Sequence, residues 1–158
     1  MISKSGFFQR RLVLPLVELL RQGVSPDKLA LAVALGITIG IFPMIGSTTI
    51  LCALVGYLFR VNPVAIQIVN YFTYPLQLAF FIPFFAAGAW LFGTEAIPFS
   101  VEDIFFRLSE QPWHTIQSLW MANIRAVVFW CLIAVPLIMI IRLLLRPLFS
   151  RLVPRDAA

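Results

Sequence analysis

Long apolar runs separated by short polar segments divide the chain, and the charged residues lie between the runs. The first run covers residues 29–59 and has no charged residue in 31 positions. As one straight helix it would be roughly 46 Å long, whereas the hydrocarbon core of a bilayer is about 30 Å thick. Because each full crossing needs about 20 residues, the run is too long for one span and too short for two.

The middle of this run carries residues that interrupt helices. Residues 42–49, with the sequence FPMIGSTT, combine a proline, a glycine and three hydroxyl side chains. Such a sequence ends one helix and begins the next. We therefore predict two half-length helices, residues 29–42 and 47–59, which form a broken, re-entrant hairpin with its tip inside the bilayer. Irregular backbone at that depth must be shielded by protein or line a wet cavity.

Two further apolar runs follow. Residues 61–94 contain no charge but are interrupted at Pro63, Pro75 and Pro83. A residue that precedes proline is pushed out of helical geometry, so we predict separate or strongly kinked membrane helices at 63–72 and 76–92, within a membrane segment at 63–93. The last run predicts a transmembrane helix at 126–147, in which Arg142 snorkels to the interface.

Residues 95–124, between the last two runs, are more polar. Helix starts are indicated at residues 100–103 and at Pro112-Trp113. Aromatic side chains such as Phe105, Phe106 and Trp120 suit the membrane–water interface. We predict short amphipathic helices on the outer membrane surface.

The basic residues set the orientation. They cluster in residues 1–28, which we interpret as an amphipathic segment on the cytoplasmic surface, and in a basic tail at 148–158. Lys and Arg concentrate on the cytoplasmic side, so both termini and Arg60 are placed there and the first run must return to its starting side. The alternative, a full kinked crossing of the first run, would put Arg60 or the basic tail on the wrong side.

Composition supports a single membrane domain over residues 1–158. The chain is 61% hydrophobic and 12% charged, with a mean hydropathy of +0.94. Soluble domains have about 45–50% apolar and about 25% charged residues, so an ordinary soluble domain is excluded. The net charge of +5 comes from basic residues that flank apolar runs, which favours anionic lipid headgroups over nucleic acid. The fold class predicted is an all-α integral membrane protein.

Catalytic chemistry has no support in the sequence. Cys52 and Cys131 lie in apolar stretches without metal or redox spacing, and His114 has no second ligand or nucleophile at motif spacing. Gly-rich phosphate loops and paired carboxylates within the membrane are absent. We expect no enzyme activity, no metal and no cofactor.

Small residues recur in the hairpin at a spacing that favours close helix packing. Packing within the monomer or in a homo-oligomer is the main interpretation, and close approach to a ligand is the alternative. The helix-packing candidates are Ala32, Gly36, Gly40, Gly46 and Gly56.

A polar series crosses the second run. Gln67 and Gln77 belong to it, and polar groups in hydrocarbon form either an internal hydrogen-bond network or a site. Two arginines border apolar segments, where a guanidinium suits a phosphate or serves as a topology anchor. The candidate ligand-binding residues are Arg60, Asn62, Asn70, Thr73, Ser47 and Arg125.

Residues 25–93 resemble a bacterial membrane-protein family, DUF2062, a domain of unknown function. The resemblance rests on Ser25-Pro26, Gly40-Ile41-Phe42-Pro43, Gly46, Arg60-x-Asn62, Asn70, Thr73, Pro75 and Gly88. In many members a proline follows the second asparagine, whereas Tyr71 follows Asn70 here. The resemblance implies a small protein of the bacterial inner membrane without an established catalytic residue, and in some members the domain adjoins a glycosyltransferase module.

Two functions are compatible with these features. The first is binding or translocation of an anionic lipid or lipid-linked intermediate, with half-helix ends and unwound backbone forming the site. The second is a non-catalytic scaffold or partner subunit of an envelope glycosyltransferase, which would use the small-residue face and the outer amphipathic segment as interfaces.

Overall fold

The computed structural model describes residues 25–95 and 101–152, together with Leu14 and Glu18. Within these residues every regular element is a helix, so the all-α class is confirmed. The predicted cytoplasmic segment at 1–28 and the end of the basic tail lie almost entirely outside the described residues. The helices are α1 (Pro26–Gly40), α2 (Thr48–Leu58), α3 (Pro63–Leu91), α4 (Val101–Glu110) and α5 (Pro112–Leu152).

Helix α1 is the centre of the bundle. It begins with Pro26 in the first turn, where the Ser25 hydroxyl accepts a hydrogen bond from the Lys28 amide, and it ends at Gly40, three residues before Pro43. Ten of its 15 residues are buried. A helix that is apolar all round must be enclosed on all sides, and α2, α3 and α5 all pack against α1.

Helices α1 and α2 form a hairpin that is aligned along α3. Gly36 of α1 lies against Val69 and Gly40 against Thr73, so α1 runs parallel to α3. Gly56 of α2 lies near Pro63 and Ile66 at the start of α3, so α2 runs back in the opposite direction. The predicted break between two half-length helices is confirmed, and the chain returns to the end of the bundle where α1 begins. The position of this hairpin in a bilayer stays a prediction.

Helix α3 corrects one prediction. It is a single helix of 29 residues that continues through Pro75 and Pro83, so the first alternative, separate helices at 63–72 and 76–92, is wrong, while a strong kink stays a prediction. Packing on both sides of each proline explains the continuity. Before Pro83 the helix contacts Gly40 of α1 through Thr73 and the segment after α1 through Gln77, and after Pro83 Gly88 lies against the backbone of α5.

Helix α5 is also longer than the pattern predicts. It begins at Pro112, as the helix start there indicates, and runs without interruption for 41 residues through Pro136 and Pro147. Residues 112–124 are therefore not a separate short helix but the first part of the helix that contains the predicted span at 126–147. Whether the border of the membrane lies near residue 125 stays a prediction.

Two of the described helices, α3 and α5, are long and apolar enough to cross a membrane. Only 28% of the most apolar window of α3 and 6% of that of α5 are buried inside the protein. The core helix of a soluble protein is mostly buried, because its apolar surface must be removed from water. The large exposed apolar area of α3 and α5 needs another apolar environment.

Helices α1 and α5 are antiparallel and are joined at one end by ion pairs. Arg142 donates two hydrogen bonds to Asp27, at 2.6 and 3.3 Å, and the Arg146 Nε lies 3.7 Å from the same carboxylate. At the other end of α1, the Trp130 indole donates to the carbonyl of Thr38. The two contacts hold α5 along the whole length of α1.

The ion pairs predict a pH-dependent contribution to stability. The hydrogen bond from Arg142 lowers the pKa of Asp27 below its usual value of 3.8, and the positive charges of Arg142 and Arg146 add to this effect. Because the folded state favours the carboxylate, its contribution is complete above pH 3.8 and is lost as the pH falls through the lowered pKa. The side chains of Asp27 and Arg142 are 39% and 43% exposed, so the effect is modest.

Thermal unfolding of the wild type and of Asp27→Asn in mild detergent measures this contribution. We expect the variant to unfold at a lower temperature at pH 7, and we expect the difference to shrink as the pH falls below 3.8. A difference that stays constant across this range would contradict an electrostatic contribution of the carboxylate.

Candidate functional site

One face of α3 carries the polar side chains, and this face points toward the break in the hairpin. The Gln77 amide donates to the carbonyl of Phe42 at 2.8 Å, and the Gln67 amide donates to the carbonyl of Thr49 at 3.0 Å. Asn70 donates to Gln67, and the Thr73 hydroxyl donates to the carbonyl of Val69 in its own helix. Gln77, Asn70 and Thr73 are all buried.

Two other candidate ligand residues have local structural roles. The Asn62 side chain accepts hydrogen bonds from the amides of Val64 and Ala65, so it is the N-cap of α3. Ser47 precedes α2 but does not cap it, because its hydroxyl donates backward to the carbonyl of Met44 at 2.9 Å. Of the two interpretations of the polar series, these contacts favour the internal hydrogen-bond network.

The two candidate arginines lie at opposite ends of α3. Arg60 precedes the first residue of the helix, whereas Arg125 donates from Nη1 to the Thr94 hydroxyl, 3.1 Å away, just after the last residue of the helix. At 1.5 Å per residue the helix between them is roughly 40 Å long. Arg60 and Arg125 are therefore too far apart to contact one headgroup at the same time, and the ligand-binding role of each stays a prediction.

Arg60 lies beside a cavity with mostly apolar walls. The cavity has a volume of about 650 Å³, which is within the usual range for small-molecule sites. Its walls are formed by the second half of α2 and the start of α3, and Arg60 is the one charged residue among the side chains that line it: Ala53, Gly56, Tyr57, Leu58, Arg60, Val61 and Pro63. Within the described part of the chain, no ion pair involves Arg60.

The backbone at Arg60 is unusual for its residue type. Helix α2 ends in a Schellman motif, in which the amide of Val61 bonds to the carbonyl of Gly56 and Arg60 has a positive φ of 51°. Helix α3 ends in the same motif, and there the corresponding residue is Gly93, with φ 62°. Glycine is the usual residue at this position because a side chain in the left-handed region costs about 1–2 kcal/mol.

The glycines of the hairpin divide into two groups. A Cβ atom at Gly36 would lie 2.8 Å from Val69 Cβ, and one at Gly40 would lie 2.7 Å from Thr73 Cβ, so these two positions are where α1 and α3 cross. Ala32 is fully buried on the same helix, and the space around Gly56 is less tight. Gly46 is a correction: no atom lies within 4 Å of its Cβ position, and its φ of 89° gives it a role in the turn rather than in packing.

Several contacts that position the helices have only weak signals in the sequence. The crossing of α3 and α5 at Gly88 lies in a stretch of small residues, Ala86 to Ala89, that predicts close packing. The Asn123 side chain donates to the carbonyl of Pro43, 80 residues earlier in the chain. No local pattern predicts such a contact.

Comparison with known proteins gives one finding. A family model described as "Uncharacterized protein conserved in bacteria (DUF2062)" matches residues 9–157. No curated protein and no solved structure gives a significant match to the chain. The match extends well beyond the resemblance noted at residues 25–93 and covers the hairpin, α3 and α5. The chain belongs to the DUF2062 family, whose members are uncharacterised bacterial proteins.

Proposed function

We propose that this protein is an integral protein of the bacterial inner membrane that binds an anionic lipid or a lipid-linked anion in the cavity beside Arg60. The exposed apolar surfaces of α3 and α5 support the placement in a membrane, because lipid tails remove them from water. In this placement the hairpin of α1 and α2 enters and leaves on the same side. Arg60 then lies on the cytoplasmic side with both termini, in accordance with the basic clusters.

The cavity has the chemistry that an anionic lipid requires. Its apolar walls accept an acyl chain or a prenyl chain, and the guanidinium of Arg60 can hold a phosphate through two parallel N–H donors. Tyr57 and Leu58, which line the cavity, are mostly exposed, so a lipid tail can extend from the cavity along the surface of α2. A soluble anion would gain nothing from these walls.

The observation that carries the proposal is the arginine in the Schellman motif of α2. The motif would be more stable with glycine, as at Gly93, and yet it carries a charged side chain at the mouth of an apolar cavity. Residues in a strained backbone conformation cluster at functional sites, where another interaction offsets the cost. A bound anion would supply that interaction.

The hydrogen bonds of the polar series favour binding over translocation. A path through the protein would need polar groups that are free to accept the headgroup at successive depths. The polar side chains are instead bonded to the backbone of the hairpin, to one another or to their own helix: Gln67, Asn70, Thr73 and Gln77. Of these bonds, the one from Gln77 to Phe42 stabilises the irregular backbone at residues 41–47.

The strain at Arg60 allows a test in which folding and binding respond in opposite directions. In Arg60→Gly the motif gains its usual residue, so we expect unfolding at the same or a higher temperature, with a gain of about 1 kcal/mol. Native mass spectrometry of the delipidated protein with added phosphatidylglycerol should show binding that is on the order of tenfold weaker than in the wild type.

Two further variants complete this test. Arg60→Lys keeps the charge but not the paired donors and should give intermediate binding. Arg151→Ala, which removes an exposed arginine near the end of α5, should bind phosphatidylglycerol as the wild type does. Unchanged binding in Arg60→Gly would refute the proposed site, because the variant remains folded.

A further inference from the structure

A second cavity lies at the end of the protein opposite to Arg60, between α4 and α5. Its volume is about 460 Å³. The Thr115 hydroxyl of α5 is buried and donates toward the carbonyls of Arg107 and Gln111, both 2.9 Å away, which fixes α4 against α5. The packing of α4 against α5 therefore fixes the positions of the side chains that line the cavity.

The charged side chains around this cavity have both signs. Arg107 and Glu110 come from α4, and His114 comes from the first turn of α5. Glu95 follows Thr94, whose hydroxyl accepts a hydrogen bond from Arg125, so the end of α3 is attached to α5 at this point. The two carboxylates and the one guanidinium together contribute a formal charge of −1 to the cavity.

This combination restricts the class of ligand. A simple anion would be repelled by Glu95 and Glu110, and a simple cation would be repelled by Arg107. Metal binding has no support, because the described residues include no group of three or more His, Cys, Asp or Glu side chains that could hold an ion. A zwitterion satisfies both signs.

The apolar side chains that line the cavity further indicate which kind of zwitterionic ligand it binds. These side chains are Ile104, Phe106 and Leu119, and Trp113 and Trp120, both strongly exposed, lie on the same part of α5. Exposed tryptophans are typical of the membrane–water interface. A single aromatic side chain does not form the cage that recognises a quaternary ammonium, whereas carboxylates accept hydrogen bonds from a primary ammonium.

We infer that this cavity binds a phosphoethanolamine group, with the ammonium at Glu95 and Glu110 and the phosphate at Arg107. The membrane placement is taken from the proposed function, but the site is independent of Arg60. All three side chains are exposed, so each ion pair is weak and the group gains affinity mainly when it belongs to a lipid whose tails are in the bilayer. The free phosphoethanolamine ester has the same ammonium, but its phosphate is a monoester with a charge of about −1.5 to −2 at pH 7.

The test compares three lipids by native mass spectrometry of the delipidated full chain. Wild-type protein should retain phosphatidylethanolamine over phosphatidylcholine, because only the former donates N–H bonds. In the double variant Glu95→Gln/Glu110→Gln, the ratio of retained phosphatidylethanolamine to retained phosphatidylcholine should fall by on the order of fivefold. Glu102→Gln, an exposed acid on α4 that does not line the cavity, is the matched control and should retain the preference.

Arg60→Gly separates the two sites. Arg60→Gly should bind phosphatidylglycerol more weakly and should still prefer phosphatidylethanolamine to phosphatidylcholine. The double variant Glu95→Gln/Glu110→Gln should bind phosphatidylglycerol as the wild type does and should lose the preference for phosphatidylethanolamine. Competition by soluble O-phosphoethanolamine, but not by glycerol 3-phosphate, would show that the free ester also binds. If the wild type prefers phosphatidylethanolamine but soluble O-phosphoethanolamine does not compete, the site binds the lipid and not the free ester. Equal retention of phosphatidylethanolamine and phosphatidylcholine by the wild type, or an unchanged preference in the double variant, would overturn the inference.

Discussion

Gly88→Ala is expected to lower the free energy of unfolding by about 2 kcal/mol, because the substitution forces two helices apart. A Cβ atom at this position would lie 2.8 Å from the Ala126 amide nitrogen and the Arg125 carbonyl carbon, and 2.9 Å from the Arg125 carbonyl oxygen. All three are backbone atoms of α5, so no change of side-chain rotamer makes room. Moving α3 away would also weaken the packing of Phe84 and Phe85 against Ala126.

The measurement is thermal unfolding in mild detergent, followed by the loss of helical circular dichroism. Gly56→Ala is the matched control, since the nearest atom to its Cβ is the flexible end of Ile66, at 3.2 Å. Alanine is also favoured over glycine within a helix by about 1 kcal/mol, so the control should unfold at or above the wild-type temperature. Equal unfolding temperatures for the two variants would mean that the crossing at Gly88 is not tight.

Gln77→Leu is expected to destabilise the protein by about 1–3 kcal/mol, although the new side chain has a similar volume. The Gln77 amide is the partner of the Phe42 carbonyl, and its side chain is 2% exposed. Phe42 lies beyond the end of α1, so no backbone amide of the helix donates a hydrogen bond to its carbonyl. Without Gln77 this carbonyl would be buried without a donor, and the break in the hairpin would lose its attachment to α3.

The same unfolding measurement tests this prediction, and Gln117→Leu provides the control. Gln117 is exposed on the first part of α5, so its substitution removes no buried donor, and we expect it to change stability by less than about 0.5 kcal/mol. If Gln77→Leu were as stable as Gln117→Leu, the hydrogen bond to Phe42 would not be needed for the irregular backbone at 41–47.

The break in the hairpin was predictable because its signal is local. Pro43 disfavours continuation of α1 beyond Gly40, and Gly46 provides the positive φ that the turn uses. The prolines of α3 do not divide it into separate helices, because the cost of a proline within a helix depends on what surrounds it. At Pro75 the neighbouring residues Thr73 and Gln77 fix the helix against Gly40 of α1 and against Phe42 in the break, and this packing outweighs the lost backbone bond.

The candidate site was only partly predictable for a similar reason. Arg60 stands out in the sequence as the one charge between two long apolar runs, and the structure adds the strained backbone and the cavity. Arg125 looks equivalent in the sequence, because it also borders an apolar run. Its separation from Arg60 follows from the length of α3, which is continuous only because of its tertiary contacts.

The sequence by itself determined that the chain is all-helical and apolar, that its first run is broken, and that its first two runs carry no charge. These properties depend on composition and on the local limits that Pro and Gly place on the backbone. Tertiary structure alone decided that α1 is the centre, that α2 returns along α3, and that the polar series is used for internal hydrogen bonds. Such contacts join residues 18 to 115 positions apart, so they depend on which helix faces meet rather than on any local pattern.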